Sequence, residues 1–401
     1  MVTFGEGSAD LFLTLWHHWN SSGAISNYSL IQRRQGWVGS MSQRDLLPTD
    51  APISLIDQDG RPTGTPGHPI PSSQDLLRAH EALVLGRRIN DQAYALVRQG
   101  KLAVYPSSHG QEACQVAAAL VLDDQDWLFP TYRDTVSIVA RGVDPVEVLV
   151  LLRGDWHSGY DPVATKVAPQ STPLATQLVH AVGVAHAATL RGEDTVVMAM
   201  CGDGATSEGD FHEALNFAAV FKAPVVFFVQ NNEFAISVPL DRQSVAPSLA
   251  HKGIGYGVPG QRVGGNDVAA LLSVLGGAVD AARAGGGPQL IEAHTYRIQA
   301  HTNADDATRY RPDEDVESWQ ARDPLLRSAA YLKSKRLLTK AREAEMAENA
   351  EQVAAAMRDG LMADVSVDPQ DLFAHVYAEP TPQLREQAAF LAEELSREDA
   401  P

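Results

Sequence analysis

Cysteine is nearly absent: Cys114 and Cys201 are the only two in 401 residues, far apart and each set among apolar neighbours. That excludes a disulfide framework and a thiolate zinc site, and it fits a reducing compartment. Positive charge is also scarce, with 32 Lys and Arg against 50 Asp and Glu and a formal net charge of -18. A surface of that sign repels phosphate backbones, so nucleic acid is not an expected partner. Long apolar runs are missing too; none approaches the roughly 18 residues that a membrane span needs. The apolar patch at residues 10–19 has no basic segment before it, so it fails as a secretory signal, and an acidic, Arg-poor start argues against a transit peptide. A cytoplasmic protein without membrane contact is the expectation, and no internal repeat is present.

What the chain does contain is core-forming sequence, 44% hydrophobic, ample for one large core or two modest ones. Residues 1–45 differ from the rest and read either as a packing arm or as an extension upstream of a start at Met41. Residues 46–73 form a Pro, Gly and Asp-rich lead-in. Residues 76–99 carry apolar pairs at helical spacing. We divide the chain into an extension (1–45), a main domain (46–330) and a C-terminal helical region and arm (331–401), whose residues 333–362 are polar enough to lie outside.

The stretch at residues 195–232 organises the main domain. Residues 195–201 are apolar and β-branched, suited to a strand buried on both faces. Gly202-Asp203-Gly204 ends it, Ser207 offers a cap for the helix that follows, and Phe211, Ala214, Leu215 and Ala218 recur on one helical face. Pro224 closes the helix, and residues 225–229 form a second buried strand delivering Gln230-Asn231-Asn232. In a βαβ unit both strand ends reach the same sheet edge, so Asp203 and the Asn pair are expected to converge there. Further strands are expected at 126–129, 258–263 and 289–298, with Asn266 capping a helix over 267–284. The fold class is therefore α/β, a doubly wound, mostly parallel sheet with helices on both faces, plus helical arms.

A carboxylate and an amide oxygen are hard ligands, suited to Mg²⁺ or Ca²⁺ rather than zinc. Glycines beside Asp203 allow close backbone approach, and a helix start presents free N–H groups to an anion. A metal-bridged diphosphate is the predicted guest. Two other strand ends carry cations: Tyr132-Arg133, able to offer a hydroxyl and a planar guanidinium to phosphate, and Tyr296-Arg297, followed by His301 and a polar loop to Tyr310-Arg311. His157 reads as a loop histidine. Ser171 to Gln177 opens another helix, and ordinary capping accounts for its polar residues.

The segment GDG, 26 residues, NN resembles the thiamine diphosphate signature. From about residue 76 to 395 the chain resembles alpha subunits of the decarboxylating component of 2-oxo acid dehydrogenase complexes. That resemblance implies a thiamine-diphosphate-binding fold with Mg²⁺ held by Asp203, Asn232 and the Phe234 carbonyl. It places Tyr132, Arg133, Gly204, Ala205, Gln230, Asn232, Arg297 and His301 at the cofactor; Gln230 stands where some relatives have Arg. STPLATQ is similar to the SSPLATQ of branched-chain enzymes, which implies a potassium site from Ser171, Thr176, Gln177 and the Pro173 carbonyl, with Thr172 and Leu174 at cofactor and substrate contacts. His301 is the implied catalytic residue. Some relatives are phosphorylated on a serine after this histidine; Thr302 stands there, so that control is not implied. The resemblance further implies a beta subunit supplying the activating glutamate in an α₂β₂ heterotetramer, and the lipoyl domain and core of an acyltransferase as partners. PLATQ favours branched-chain 2-oxo acids, with pyruvate the alternative. An acetoin dehydrogenase subunit and a non-catalytic diphosphate-binding subunit are more distant readings.

Overall fold

The computed structural model describes residues 46–155, 158–363 and 368–398. The N-terminal extension and His157 lie outside the described residues. Five parallel strands form the central sheet: β1 (Trp127–Phe129), β2 (Val197–Gly202), β3 (Val225–Asn231), β6 (Gly260–Gly264) and β7 (Gln289–His294), in the order β1-β2-β3-β7-β6. Two-residue strands β4 (Phe234–Ala235) and β5 (Val238–Pro239) make a separate hairpin.

Parallel strands need crossovers, and alternate side chains must then be buried on each face. One face carries Met198, Met200, Val226, Phe228 and Ile291 into a core with Leu83, Val116, Leu271 and Leu275. The other carries Val197, Ala199, Phe227 and Val229 against Leu178, Phe211 and Leu215. The first cover comes from α1 (Ser73–Arg98), α2 (Glu112–Leu120) and a helix at Val268–Ala281; the second from α3 (Thr176–Arg191) and α4 (Gly209–Phe221). Helical structure from Val268 to Gly286 is apolar and long enough to cross a membrane by composition, but it serves here as sheet cover, with Leu271 and Leu275 fully buried. Both cysteines are free and buried in these cores, which pushes their thiols up.

Several local expectations are corrected. Ser207 does not cap α4; it ends a 3₁₀ turn (Gly204–Ser207), and Glu208 occupies the cap position. Asp267, not Asn266, caps Val268–Ala281, accepting from Ala270 N–H at 3.1 Å. The cap of α3 is Ala175 at φ 64°, with no side-chain cap, so capping does not account for the polar residues of STPLATQ. Strand β7 stops at His294, four residues early. The helix at Lys340–Met362 is not wholly external: Ala350, Ala354, Met357 and Leu361 are buried. A helix at Pro324–Ser334 runs across the 330/331 division.

Gly110 pins the loop before α2. Its φ is +98°, and a Cβ there would lie 2.0 Å from the Tyr296 carbonyl oxygen. Only glycine permits that backbone approach. The adjacent His109 carbonyl accepts from Ile298 N–H at 3.1 Å, which ties the start of α2 to the chain leaving β7.

Candidate active site

All five strands point the same way, so their C-terminal ends share one edge, where ligands bind in open α/β sheets. Beyond β1 come Tyr132 and Arg133, beyond β2 Asp203, beyond β3 Asn232, and beyond β7 Arg297 and His301. These six side chains line one cleft of about 210 Å³. Ser171, Pro173, Leu174, Gln177, Gly204, Ala205, Gln230 and Phe234 line it as well. Thr172 is exposed and, with Thr176, is not part of the lining. The Asn pair does not converge. Successive side chains on an extended strand point to opposite faces, so Asn231 turns away to Glu292 (2.8 Å) while Asn232 enters the cleft.

Asp203 is 1% exposed, and its one side-chain partner among the described residues is Gln243 Nε2 at 2.9 Å. Burial raises its carboxyl above the usual range, against smaller opposing effects from Gln243, backbone N–H groups and Arg297. Asn232 donates from Nδ2 to Gln111 Oε1 (2.9 Å), and its Oδ1 accepts from Phe234 N–H at 3.3 Å. The Phe234 carbonyl accepts from Arg297 Nη1 at 3.3 Å, which uses one of its two lone pairs. Among the described residues no group of three or more His, Cys, Asp or Glu side chains could hold a metal by itself. A hard cation here would draw on few protein ligands and on phosphate oxygens, as Mg²⁺ does.

Across the cleft lie two buried guanidinium groups, Arg133 (4% exposed) and Arg297 (1%). Arg133 donates to the Ser107 and His301 carbonyls and to His301 Nδ1, each at 3.1 Å. Arg297 donates to the carbonyls of Phe234 and Ile236 and to the Tyr310 hydroxyl. Among the described residues neither pairs with a carboxylate, and Arg297 Nε has no partner. Burial lowers the Arg133 pKa, with Arg297 adding to the effect. His301 falls to about 4, first through burial and then through Arg133 and Arg297, against Asp305. Arginine only donates, so His301 Nδ1 is the acceptor and the neutral ring carries its proton on Nε2. Asp305 accepts from His301 N–H (2.8 Å) and from Tyr310, and Arg311 donates to the carbonyls of Arg297 and Ile298, which together hold the loop after β7.

Gln177 donates to the Met200 carbonyl at 2.8 Å, while its buried Oε1 has no partner. Ser171 donates to the Pro173 carbonyl at 2.9 Å. The hairpin rim holds Glu233 at φ 71° and Ile236 at φ 57°. A β-branched residue there is strained, as residues beside functional sites often are. Gln111 and Glu208 also line the cleft and went unassigned from sequence. The one signal for Gln111 was a polar residue at a helix start whose side chain caps nothing.

The dehydrogenase E1 component family matches residues 80–364. The chain is 47% identical over 349 residues to the 3-methyl-2-oxobutanoate dehydrogenase subunit alpha of Mycobacterium tuberculosis, covering 87% of this chain and 95% of that one. It is 36% identical over 336 residues to the pyruvate dehydrogenase E1 component subunit alpha of Acholeplasma laidlawii, covering 82% and 96%. For the subunit of that name from Staphylococcus aureus the figures are 37% over 299 residues, 74% and 81%. The match spans most of the chain and contains the whole cleft, so this protein belongs to the dehydrogenase E1 component family, a family of thiamine-diphosphate-dependent oxidoreductases.

Proposed function

We propose that the chain is the alpha subunit of a 2-oxo acid dehydrogenase that oxidatively decarboxylates branched-chain 2-oxo acids and passes the acyl group to lipoamide. One observation supports this reading: among the described residues, two buried guanidinium groups without carboxylate partners line the same cleft as a buried carboxylate without a cationic one. That is the charge complement of a metal-bridged diphosphate. Asp203, the Asn232 amide oxygen and the Phe234 carbonyl would hold Mg²⁺. Tyr132, Arg133, Gln230, Arg297, His301 and the main chain at Gly204 and Ala205 would hold the diphosphate. Leu174, at the rim, would meet the substrate side chain. The partnerless Gln177 Oε1 supports a K⁺ site shared with Ser171 and the Pro173 carbonyl, to which Thr176 would add its hydroxyl.

Bound thiamine diphosphate supplies the electron sink that loss of CO₂ from a 2-oxo acid requires. The chain's own work is electrostatic and positional. Arg133 and Arg297 neutralise phosphate charge in a dry cleft, where each contact counts for more than in water. His301, neutral with its proton on Nε2, can donate a hydrogen bond to charge developing on the substrate and hold it during acyl transfer. The branched-chain preference rests on the 47% identity to a 3-methyl-2-oxobutanoate dehydrogenase subunit against 36–37% to pyruvate types. A beta subunit would complete an α₂β₂ particle in the cytoplasm, docking the lipoyl domain and core of an acyltransferase. Residues 46–330 would form the cofactor domain and 331–401 the helical region and arm; residues 1–45 would precede both.

The test is decarboxylation by this chain co-expressed with its beta-type partner, comparing 3-methyl-2-oxobutanoate and 4-methyl-2-oxopentanoate with pyruvate. A higher kcat/KM for the branched acids is expected; preference for pyruvate would overturn the substrate assignment. Turnover by the chain alone would overturn the subunit assignment.

A further inference from the structure

We propose that Asp134 is a positioning residue which, acting through Gln230 and Gln111, fixes which end of the Asn232 side-chain amide faces the metal position. The proposal rests on the Mg²⁺ reading above. Four buried side chains form one directional hydrogen-bond chain beneath the cleft. Asn232 Nδ2 donates to Gln111 Oε1 at 2.9 Å, Gln111 Nε2 to Gln230 Oε1 at 3.1 Å, and Gln230 Nε2 to Asp134 Oδ1 at 2.7 Å. The four are 5%, 2%, 2% and 0% exposed, so the links form largely out of reach of bulk water.

An amide has a donor end and an acceptor end of nearly equal shape. Three amides in series can therefore run in either direction with little steric difference. Run one way, the chain leaves Asn232 Oδ1 free for a cation; run the other way, it presents an NH₂ group, which cannot ligate one. A carboxylate at the far end, which only accepts, sets the direction of the chain, in the same sense as the Phe234 N–H that donates to Asn232 Oδ1 at 3.3 Å. Asp134 is itself held in place: its Oδ2 accepts from Thr131 N–H at 2.7 Å and from Thr131 Oγ1 at 2.8 Å. Gln230 must then turn Nε2 towards Oδ1, Gln111 must turn Nε2 towards Gln230, and Asn232 must turn Nδ2 away from the cleft. Polarity set by one acidic group thus reaches a ligand three side chains away.

The substitution that reverses the chain follows directly. In Asp134→Asn the main-chain N–H of Thr131 still requires an oxygen, so the new NH₂ faces Gln230. Gln230 flips to accept it, Gln111 flips in turn, and Asn232 presents its NH₂ to the metal. Adding Gln111→Glu puts the acceptor-only group beside the ligand: it accepts from Nε2 of the flipped Gln230 and from Asn232 Nδ2, restoring Asn232.

The measurement is Mn²⁺ affinity, read from the electron paramagnetic resonance of free Mn²⁺, in the alpha–beta complex with thiamine diphosphate. Compared are wild type, D134N, the D134N/Q111E pair and D203N. The expected result is a loss of about 10–100-fold in D134N, as for other groups that orient a metal ligand, with the pair within about threefold of wild type. Wild-type affinity in D134N overturns the proposal, and so does a pair no tighter than D134N, since packing alone would then account for the loss. Should D134N fail to fold, the pair decides: affinity within about threefold of wild type supports the chain, and a larger loss overturns it. D203N separates the two levels of inference. If D203N binds Mn²⁺ as wild type does, the metal reading fails and this proposal with it; if D203N loses Mn²⁺ while D134N keeps it, only the positioning role fails.

Discussion

Replacing Asp203 by Asn should make the cofactor-free protein more stable and the cofactor-loaded protein less so. In the folded chain the Asp203 carboxyl is raised because burial penalises its charge, and among the described residues Gln243 is its only side-chain donor. The folded state therefore keeps this proton to higher pH than the unfolded state does. Asp203's contribution to stability falls as pH rises from the ordinary aspartate value to the raised one, and the penalty is complete above the raised value. An asparagine keeps the shape and can still accept from Gln243, but it carries no charge to desolvate. Relief of a partly satisfied buried charge is worth roughly 1–3 kcal/mol. With about 2.1 cal/mol/K of unfolding entropy per residue over 401 residues, that is a rise of roughly 1–4 °C in Tm. Differential scanning fluorimetry at neutral pH, on protein stripped of cofactor, reads this directly. Adding Mg²⁺ and thiamine diphosphate should then raise the wild-type Tm strongly and the variant's weakly. A D203N variant that melts below wild type without cofactor, or that keeps the full ligand-induced shift, refutes the reasoning.

Other outcomes follow from the same geometry. His301 is held to about 4 by burial, Arg133 and Arg297, so its imidazole should not titrate above pH 5.5 in an NMR experiment on cofactor-free protein; a midpoint near the ordinary histidine value would show that the two arginines do not act on it. Because the unfolded chain takes up that proton below about 6.5 and the folded chain only near 4, His301 should make stability rise with pH across this window. Arg87 bridges Glu112 (2.5 Å, carboxylate fully buried) and Asp323 (2.9 Å), so Arg87→Met strands a buried charge and should cost about 3–5 kcal/mol by urea unfolding. A loss under about 1 kcal/mol would mean that water reaches Glu112.

Much of this was legible in the chain. The run at residues 225–229 is apolar without alternation, as a strand covered on both faces must be, and the parallel order of such strands gathers their ends at one edge. Tyr132, Arg133, Asp203, Asn232, Arg297 and His301 were therefore assignable to one site although up to 169 positions separate them. Local endings were less legible. Ser207 and Asn266 have capping chemistry, but the backbone turns taken by Gly204–Ser207 and by Ala175 are set by what packs around them.

Sequence by itself determined the period of burial, the parallel α/β architecture, the chemistry at each strand end and the family, because these depend on residue type and spacing along one element. Tertiary structure alone decided that Asn231 and Asn232 part company, that Thr172 stays outside the cleft, and that two arginines share one cleft without carboxylate partners. It also decided that Asp134 connects through Gln230 and Gln111 to Asn232, by links that span 96, 119 and 121 positions along the chain. The physical reason is that hydrogen-bond polarity and charge pairing depend on which groups meet in space, and pairs this distant meet only once the sheet has been assembled.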